Sequence, residues 1–219
     1  MGNLDVSQDD WQQMVMELTN YSKAKLWRDF TWHAARMAVI DPEKFRRMEL
    51  TDQDWQGMIR ELTKYKDRKE WDSYAVRASR MSLIDPGRFT DVIIDDEAWN
   101  GMITVLKKFR MQNNWINFSA LAQHLKTVDA ERFHQINILD KDWEGIKGKL
   151  KDFEKQEIWG KFAKMAAYLK IINPERFKQE IKISAGAWQR MSEELNLKRQ
   201  KNYWAAFAAQ ASRIKILLS

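Results

Sequence analysis

The sequence contains no cysteine, only three prolines and eight glycines, and no long apolar run. The lack of cysteine excludes a disulfide framework and a thiolate metal site. The scarcity of proline and glycine argues against a turn-rich β protein. Without a run of about 18 apolar residues, no membrane span is predicted. The N-terminal residues also lack the basic and apolar regions of a signal peptide. We therefore expect a soluble, cytoplasmic protein.

The sequence also lacks the linear motifs that mark common enzyme active sites. It has no glycine-rich phosphate loop, no GxSxG elbow and no protein-kinase signature. Its three histidines, His33, His124 and His134, do not have the spacing of metal ligands. We therefore predict that the protein is not an enzyme and that it uses neither a metal nor a cofactor.

Apolar and aromatic residues, by contrast, are abundant, and they include 11 tryptophans. With 44% hydrophobic residues, a chain of 219 residues can bury a large core. The net charge of +6 is unevenly placed, because residues 1–138 carry a balance of −1 and residues 139–219 a balance of +7. The basic C-terminal third points to an acidic partner.

Ten of the 11 tryptophans follow one period, in two series with successive spacings of 44, 44, 44 and 45 residues. The first series is Trp11, Trp55, Trp99, Trp143 and Trp188, and the second is Trp27, Trp71, Trp115, Trp159 and Trp204. A period of this length is typical of stacked supersecondary units. It divides a single domain, 1–219, into five units, at about 4–50, 51–94, 95–138, 139–183 and 184–219.

The pattern of apolar residues in each unit predicts an antiparallel pair of helices, which we call helix A and helix B. Helix A carries the first tryptophan of a unit, and Met14, Leu18 and Tyr21 continue its apolar face in unit one. Helix B starts at the second tryptophan and has an alanine at one fixed position, Ala34 in unit one. A small residue repeated in every unit indicates that another helix packs closely there. No glycine or proline marks the turn between the helices, near residues 22–25.

A phrase that recurs after helix B, "MAVIDPEKF" in unit one, predicts the start of a helix rather than a chemical site. Its polar residues are Asp41, Asp85, Asp129 and Asn173, and all three prolines of the protein directly follow one of them. An Asx residue followed by proline is typical of an N-cap and the first residue of a helix. No acid or base partner recurs with the aspartate. We therefore interpret the phrase as the start of a short third helix that connects two units.

Glycine stands two residues after the helix A tryptophan in the three middle units, at Gly57, Gly101 and Gly145. A glycine inside a helix costs about 1 kcal/mol relative to alanine, so we expect it to permit close approach of a neighbouring helix. Gln13 and Arg190 take its place in the first and last units, as expected where a stack ends and faces solvent. Unit five is then either a terminal cap or the point at which the chain is cut from a longer array.

The order of short helix, helix A and helix B, at 44 residues per unit, resembles the HEAT and armadillo class of α-solenoids. The resemblance covers essentially the whole chain and is one of architecture alone. We predict an all-α fold: a right-handed α-solenoid of about five 44-residue helical hairpins, each with a short third connecting helix. The resemblance implies a scaffold or binding module, with the B helices on the concave face if the stack curves as it does in that class.

The side of helix B opposite its core stripe is a candidate binding surface, which we call the helix B ridge. It consists of positions five and nine, counted from the helix B tryptophan as zero, and its candidate partner-binding residues are Trp32, Arg36, Arg80, His124, Lys164, Tyr168 and Arg213. Trp32 lies one turn from Arg36, a pairing that is typical of interface hot spots and of base stacking. Alternatively, Trp32 packs over the exposed N-terminal edge of the stack and the arginine column is an ordinary solvated face.

From these features we predict a non-catalytic scaffold that binds a protein or peptide along the helix B ridge and has no membrane partner. One alternative is nucleic-acid binding. The basic C-terminal units and the common register of Arg36, Arg80 and Arg213 support it, whereas the even charge balance of the first three units opposes it. Another alternative is a purely structural or engineered repeat protein without a partner of its own.

Overall fold

A computed structural model describes residue 4 and residues 6–219, and every regular element in that part of the chain is a helix. The five A helices are α1 (Gln8–Lys23), α4 (Asp52–Asp67), α7 (Asp96–Met111), α10 (Asp140–Lys155) and α13 (Ala185–Gln200). The five B helices are α2 (Trp27–Ile40), α5 (Trp71–Ile84), α8 (Trp115–Val128), α11 (Trp159–Ile172) and α14 (Trp204–Leu218). The connecting helices are α3 (Pro42–Arg46), α6 (Pro86–Phe89), α9 (Ala130–His134) and α12 (Pro174–Glu180). The predicted all-α fold of five hairpin units is confirmed.

The turn between helix A and helix B holds one residue in the left-handed region in every unit. In unit one it is Lys25, with φ of 56°, and its equivalents are Lys69, Asn113, Glu157 and Asn202. The Leu26 amide donates to the Tyr21 carbonyl and the Lys25 amide donates to the Ser22 carbonyl, which is the Schellman pattern of helix ends. Glycine, the usual residue at such a position, is absent from it in all five units, since lysine or glutamate occupies it in three units and asparagine in two.

The recurring phrase after helix B caps the connecting helices, as predicted. The Asp41 side chain accepts a hydrogen bond from the Lys44 amide at 2.9 Å, and Asn173 accepts one from the Arg176 amide at 3.0 Å. The phenylalanine of each phrase is buried against the hairpins; Phe45, for example, is 3% exposed. The phrase therefore joins consecutive units and anchors the joint in the core.

The B helices form the inner layer of the molecule. Each B helix packs against the B helix of the preceding and the following unit, and each A helix packs on its own B helix and on that of the preceding unit. The alanine column lies in these contacts and is fully buried, at Ala34, Ala78, Ala122, Ala166 and Ala211. The expected close helix packing at this column is confirmed, and the B helices lie on the concave side, as the architectural resemblance implied.

The five units close into a ring. Helix α14 packs against α2 just as other consecutive B helices pack together, and α1 packs against α14 as every other A helix packs on the preceding B helix. The expectation that the first and last units end an open stack is therefore wrong, although Gln13 and Arg190 do face solvent. The order of the units along the chain does not indicate that the rotation from each unit to the next adds up to a closed ring.

The closing interface reuses a polar contact found between other units. The Asp142 carboxylate of unit four pairs with Arg110 of unit three at 2.7 Å. At the equivalent positions of units one and five, Asp10 pairs with Arg199 at 2.8 Å. Both aspartates are buried. An arginine–aspartate ion pair at equivalent positions thus joins unit one to unit five and unit four to unit three.

The three helix A glycines each lie against the helix B tryptophan of the preceding unit. A Cβ atom added to Gly57 would lie 2.3 Å from the ring of Trp27, and one added to Gly145 would lie 2.3 Å from the ring of Trp115. Gly101 meets Trp71 in the same way. The expected close approach is confirmed, and the approaching group is an indole ring.

This contact predicts opposite effects for two glycines on the same helix. Gly145→Ala should destabilise the protein by about 1–3 kcal/mol, because Trp115 must move to admit the methyl group. Gly148→Ala should stabilise it by up to about 1 kcal/mol, because Gly148 is exposed and nothing lies within 4 Å of its added Cβ. Urea unfolding of both variants tests the pair. Equal shifts of the same sign would contradict the packing described here.

Candidate ligand-binding cavity

The B helices surround a cavity of about 240 Å³ at the centre of the ring. All seven residues predicted for the helix B ridge line this cavity: Trp32, Arg36, Arg80, His124, Lys164, Tyr168 and Arg213. Residues that are 44 or more positions apart in sequence therefore meet in one place. Ring closure brings unit one and unit five to the same cavity as the units between them.

The cavity lining is arranged in layers along the B helices. Position five contributes Trp32 and Lys164 near the N-terminal ends of the helices, and position nine contributes a ring of five side chains from all five units. Position twelve follows one turn later with a mostly apolar layer: Val39, Leu83, Thr127, Ile171 and Ile216. The three arginines thus lie between the position-five layer, with Trp32 and Lys164, and the mostly apolar layer at position twelve.

The electrostatics of the cavity are one-sided. Its lining includes four cationic side chains, Arg36, Arg80, Lys164 and Arg213, and no aspartate or glutamate. Among the ion pairs that join described residues, none involves any of these four side chains, although many other lysines and arginines are paired. Uncompensated charge in a partly enclosed site is costly, so the arrangement favours binding of an anion.

Two of the arginines are held by main-chain carbonyl groups. Arg36 Nη1 donates to the Ala205 carbonyl at 3.1 Å, and Arg213 Nη1 donates to the Gly160 carbonyl at 3.3 Å. The Arg36 guanidinium also lies over the indole ring of Trp32. Each of these hydrogen bonds uses one N–H donor to orient the guanidinium group, and the other N–H donors can bind a ligand.

Burial lowers the pKa values of all four cationic side chains, and neighbouring positive charges lower three of them further, while Tyr168 and Glu194 act on the pKa of Arg213 in the opposite direction. Burial, followed by the charges of Arg213 and Arg80, lowers the pKa of Arg36 from 12.5 to about 7. Burial and the charge of Arg77 lower the pKa of Arg80 to about 9, and burial and Arg213 lower the pKa of Lys164. Arginine holds its proton strongly in proteins, so this lowering reflects a free-energy cost of the clustered charge. A bound anion would remove that cost.

His124 and Tyr168 complete the position-nine ring as uncharged groups. His124 Nδ1 lies 2.6 Å from the Ser79 hydroxyl, and burial, followed by the charge of Arg80, holds the pKa of His124 well below 6.5. Burial raises the pKa of Tyr168, so its hydroxyl keeps its proton. Ser79 was not predicted as a site residue, because position eight looks like a core position in the sequence.

The lowered pKa of His124 makes stability depend on pH in a defined direction. His33 is also buried, and burial lowers its pKa as well. Below pH 6.5 the unfolded chain takes up protons at both histidines while the folded chain does not, so stability falls as the pH falls. Each histidine contributes up to about 1.4 kcal/mol per pH unit.

Urea unfolding at several pH values between about 6.5 and 5 tests this. We expect His124→Gln to make the loss of stability with falling pH less steep than in the unchanged protein. An identical slope in both proteins would contradict a neutral, buried His124.

The structure also excludes one of the two interpretations of Trp32. It faces the cavity, and α14 packs on the side of α2 that would be the exposed edge of an open stack. Packing over an exposed N-terminal edge is therefore wrong. The basic C-terminal third supplies only half of the cationic site: Lys164 and Arg213 come from it, whereas Arg36 and Arg80 come from the first two units.

A larger groove of about 640 Å³ lies on the outside of the ring beside α4. Charged side chains there compensate each other; Asp52, for example, pairs with Arg88 at 3.1 Å. Because this groove contains both signs of charge in contact, it has no comparable need for a ligand. The central cavity is the better candidate site.

Comparison with models of protein families, with curated proteins and with solved structures finds no match for this chain. Within the part of the chain that the structure describes, no group of three or more His, Asp or Glu side chains can hold a metal ion. No helix in that same part is long and apolar enough to cross a bilayer. The case for a function therefore depends on the central cavity.

Proposed function

We propose that the protein is a non-catalytic binding module whose partner, a protein or peptide, places an anionic group in the central cavity. The observation that carries this proposal is the convergence of four cationic side chains from four units, none of them in an ion pair with another described residue, on a cavity whose lining has no carboxylate. An intracellular location is part of the proposal, since a chain without cysteine needs no oxidising compartment.

The position of the site on the fold supports binding rather than a structural role for these residues. A solenoid or ring needs apolar contacts between neighbouring units, and the alanine and aromatic columns supply them. Four clustered cations add a cost to folding, which the hydrogen bonds of Arg36 and Arg213 to carbonyl groups of other units offset only in part. Residues that reduce stability at one place in a protein are typical of functional sites.

The size of the cavity limits what part of a partner can enter. A volume of 240 Å³ equals the share of about eight water molecules in the liquid, which admits a side chain or a small group. A nucleic-acid duplex is too wide to enter. The nucleic-acid alternative is therefore restricted to an inserted phosphate or to the outer surface of the basic C-terminal units.

Fluorescence anisotropy with labelled probes tests the proposal. The probes are a glutamate-rich peptide, its glutamine counterpart, single-stranded RNA and duplex DNA, each at about 50 and 200 mM salt. We expect the glutamate peptide to bind, to bind more weakly at the higher salt concentration, and to lose binding when Arg36, Arg80 and Arg213 are all replaced with Met. Arg60→Met, an exposed change on the outer helix α4, is the matched control.

The outcomes separate the alternatives. Tight binding of RNA or DNA that survives the triple replacement would favour nucleic-acid binding on the outer surface. If no probe binds at low salt, the binding function is wrong and a purely structural role gains support. The contribution of Trp32 to binding is measured with Trp32→Ala and Arg36→Met in a double-mutant cycle. The single variant does not separate it from that of Arg36, because the two side chains are stacked.

A further inference from the structure

The three arginines of the cavity are adjacent around the ring. They come from units five, one and two, at the same position of α14, α2 and α5. The charges of Arg213 and Arg80 both act on Arg36, which lies between them. Lys164 adds a fourth positive charge from α11, one turn nearer the N-terminal ends of the helices. The cationic cluster therefore spans the contact between the first and the last unit.

We propose that the group recognised in this cavity is a phosphate group with two or more negative charges, bound by Arg36, Arg80, Arg213 and Lys164. This inference rests on the proposed function and specifies its ligand. The phosphate belongs either to a phosphorylated side chain of a protein partner or to a small free polyphosphate. Both sources present the same chemistry to the cavity.

The number of charges distinguishes phosphate from carboxylate. A single carboxylate would leave three of the four positive charges without compensation, whereas a phosphate monoester carries about −1.5 to −2 and a polyphosphate carries more. No carboxylate of the cavity lining competes for the cations. Charge balance thus favours the ligand with the higher charge.

The directions of the donors also favour phosphate. A carboxylate has two oxygens in one plane, and one guanidinium group can bind both of them. A phosphate has oxygens that point in several directions, and it can accept from three guanidinium groups on three different helices at once. Arg36 and Arg213 are already held by main-chain carbonyl groups, so less side-chain freedom is lost when a ligand binds.

Neutral donors around the cluster suit the same ligand. The Tyr168 hydroxyl keeps its proton and lines the cavity next to His124, whose ring centre is 6.4 Å from that of Tyr168. The aliphatic layer at position twelve lowers the local dielectric on one side and so strengthens hydrogen bonds to an anion. The volume of the cavity holds a phosphate or a short polyphosphate with a few bridging waters.

A phosphate at this place would also join unit five to units one and two. Ligand binding is therefore expected to stabilise the closed ring specifically, in addition to the general effect of any ligand that binds only the folded state. The unfolding temperature should rise with the concentration of the phosphate probe in the low millimolar range or below, where general salt effects are small.

The experiment is isothermal titration calorimetry of the full chain at constant ionic strength and neutral pH, with unfolding temperatures measured in parallel. The small probes are pyrophosphate, tripolyphosphate, sulfate and acetate. The peptide probes share one sequence that carries phosphoserine, glutamate or serine at its centre. We expect one site per chain, and binding about tenfold to a hundredfold weaker when Arg80 and Arg213 are both replaced with Met.

Two further variants keep the test independent of folding defects. Lys164→Met should weaken the same probes through a different helix, and Arg60→Met on the outside should leave the binding unchanged. Circular dichroism reports whether each variant is folded. Tighter binding of the phosphoserine peptide than of the polyphosphates would identify a protein partner as the source. The reverse order would identify a free polyphosphate, which would then replace the protein or peptide of the proposed function. Either result supports the proposal.

Other results would overturn the proposal. If the glutamate peptide or acetate binds as tightly as the phosphate probes, phosphate recognition is wrong while the anionic binding function stands. If the phosphate probes bind equally well to the Arg80→Met, Arg213→Met double variant, the site lies elsewhere and the assignment is wrong. If no anion binds, both this proposal and the proposed function fail.

Discussion

Replacing Arg110 with Met should destabilise the protein by about 3–5 kcal/mol. Arg110 pairs with Asp142, whose side chain is completely buried, and it also donates to the Asn137 carbonyl at 2.7 Å. Without the guanidinium group, the Asp142 carboxylate keeps one hydrogen bond from the Leu139 amide and no cationic partner in the described part of the chain. An uncompensated buried charge is among the most destabilising changes a protein can undergo. Urea unfolding at neutral pH measures the effect.

The chain itself supplies the control for this prediction. In units three and five the position of Asp142 is occupied by Ala98 and Ala187, which are almost fully buried. Asp142→Ala should therefore recover much of the stability that Arg110→Met removes, because the unpaired charge is then gone. If the double variant is as unstable as the sum of the two single variants, the loss does not arise from the unpaired carboxylate.

Replacing Arg80 with Met should have the opposite effect and increase stability. Arg80 lies in the central cavity beside other cations, and no carboxylate lines that cavity, so an apolar side chain of similar length removes charge repulsion and desolvation cost. Replacing buried charged groups with apolar residues can stabilise a protein by about 1–4 kcal/mol, and we expect a gain towards the lower end of that range. The same change should weaken anion binding, which would show that stability and function conflict at this site.

Arg60→Met controls for the general effect of removing one positive charge. Arg60 is exposed on the outer face of α4, and such substitutions usually change stability by less than about 0.5 kcal/mol. If Arg80→Met lowers stability by more than the control does, Arg80 supports the fold. The cluster would then be structural rather than a ligand site.

Sequence periodicity was sufficient to predict the repeat, the hairpins and the caps, because each of these depends on residues that are close along the chain. The two tryptophan series set the starts of both helices, and Asp41 and its equivalents cap the connecting helices as their position indicated. The turn between the helices was harder to place. Its left-handed residue is Lys25 in unit one, and lysine gives no turn signal.

Ring closure was not predicted, because it depends on a small rotation between units that accumulates over five repeats. No single residue encodes that rotation. One sign was present in the sequence: Asp10 and Arg199 occupy the positions at which Asp142 and Arg110 pair between two middle units. A closed ring requires that a residue of the last unit can pair with one of the first unit, and Arg199 and Asp10 meet this requirement.

The candidate site was predicted as a set of residues but not as a cavity. Comparison of equivalent helix B positions across the five units identified Arg36, Arg80 and Arg213. Their position varies in residue type from unit to unit, whereas the core positions are nearly constant. On an open stack these side chains would lie along a ridge, several units apart. Closure of the ring places them around one cavity, and only this placement turns a row of arginines into an anion site.

The most direct test of the closed ring is the distance between its first and last units. Because the chain has no cysteine, spin labels can be attached to single cysteines introduced at Asp9 and Gln200, which are exposed neighbours of the Asp10–Arg199 ion pair. Double electron–electron resonance should give one short distance, about 10–20 Å, as between labels on adjacent helices. A distance of about 32–40 Å, which four helix spacings of about 8–10 Å would produce in an open stack, would contradict the closed ring and the cavity that it creates.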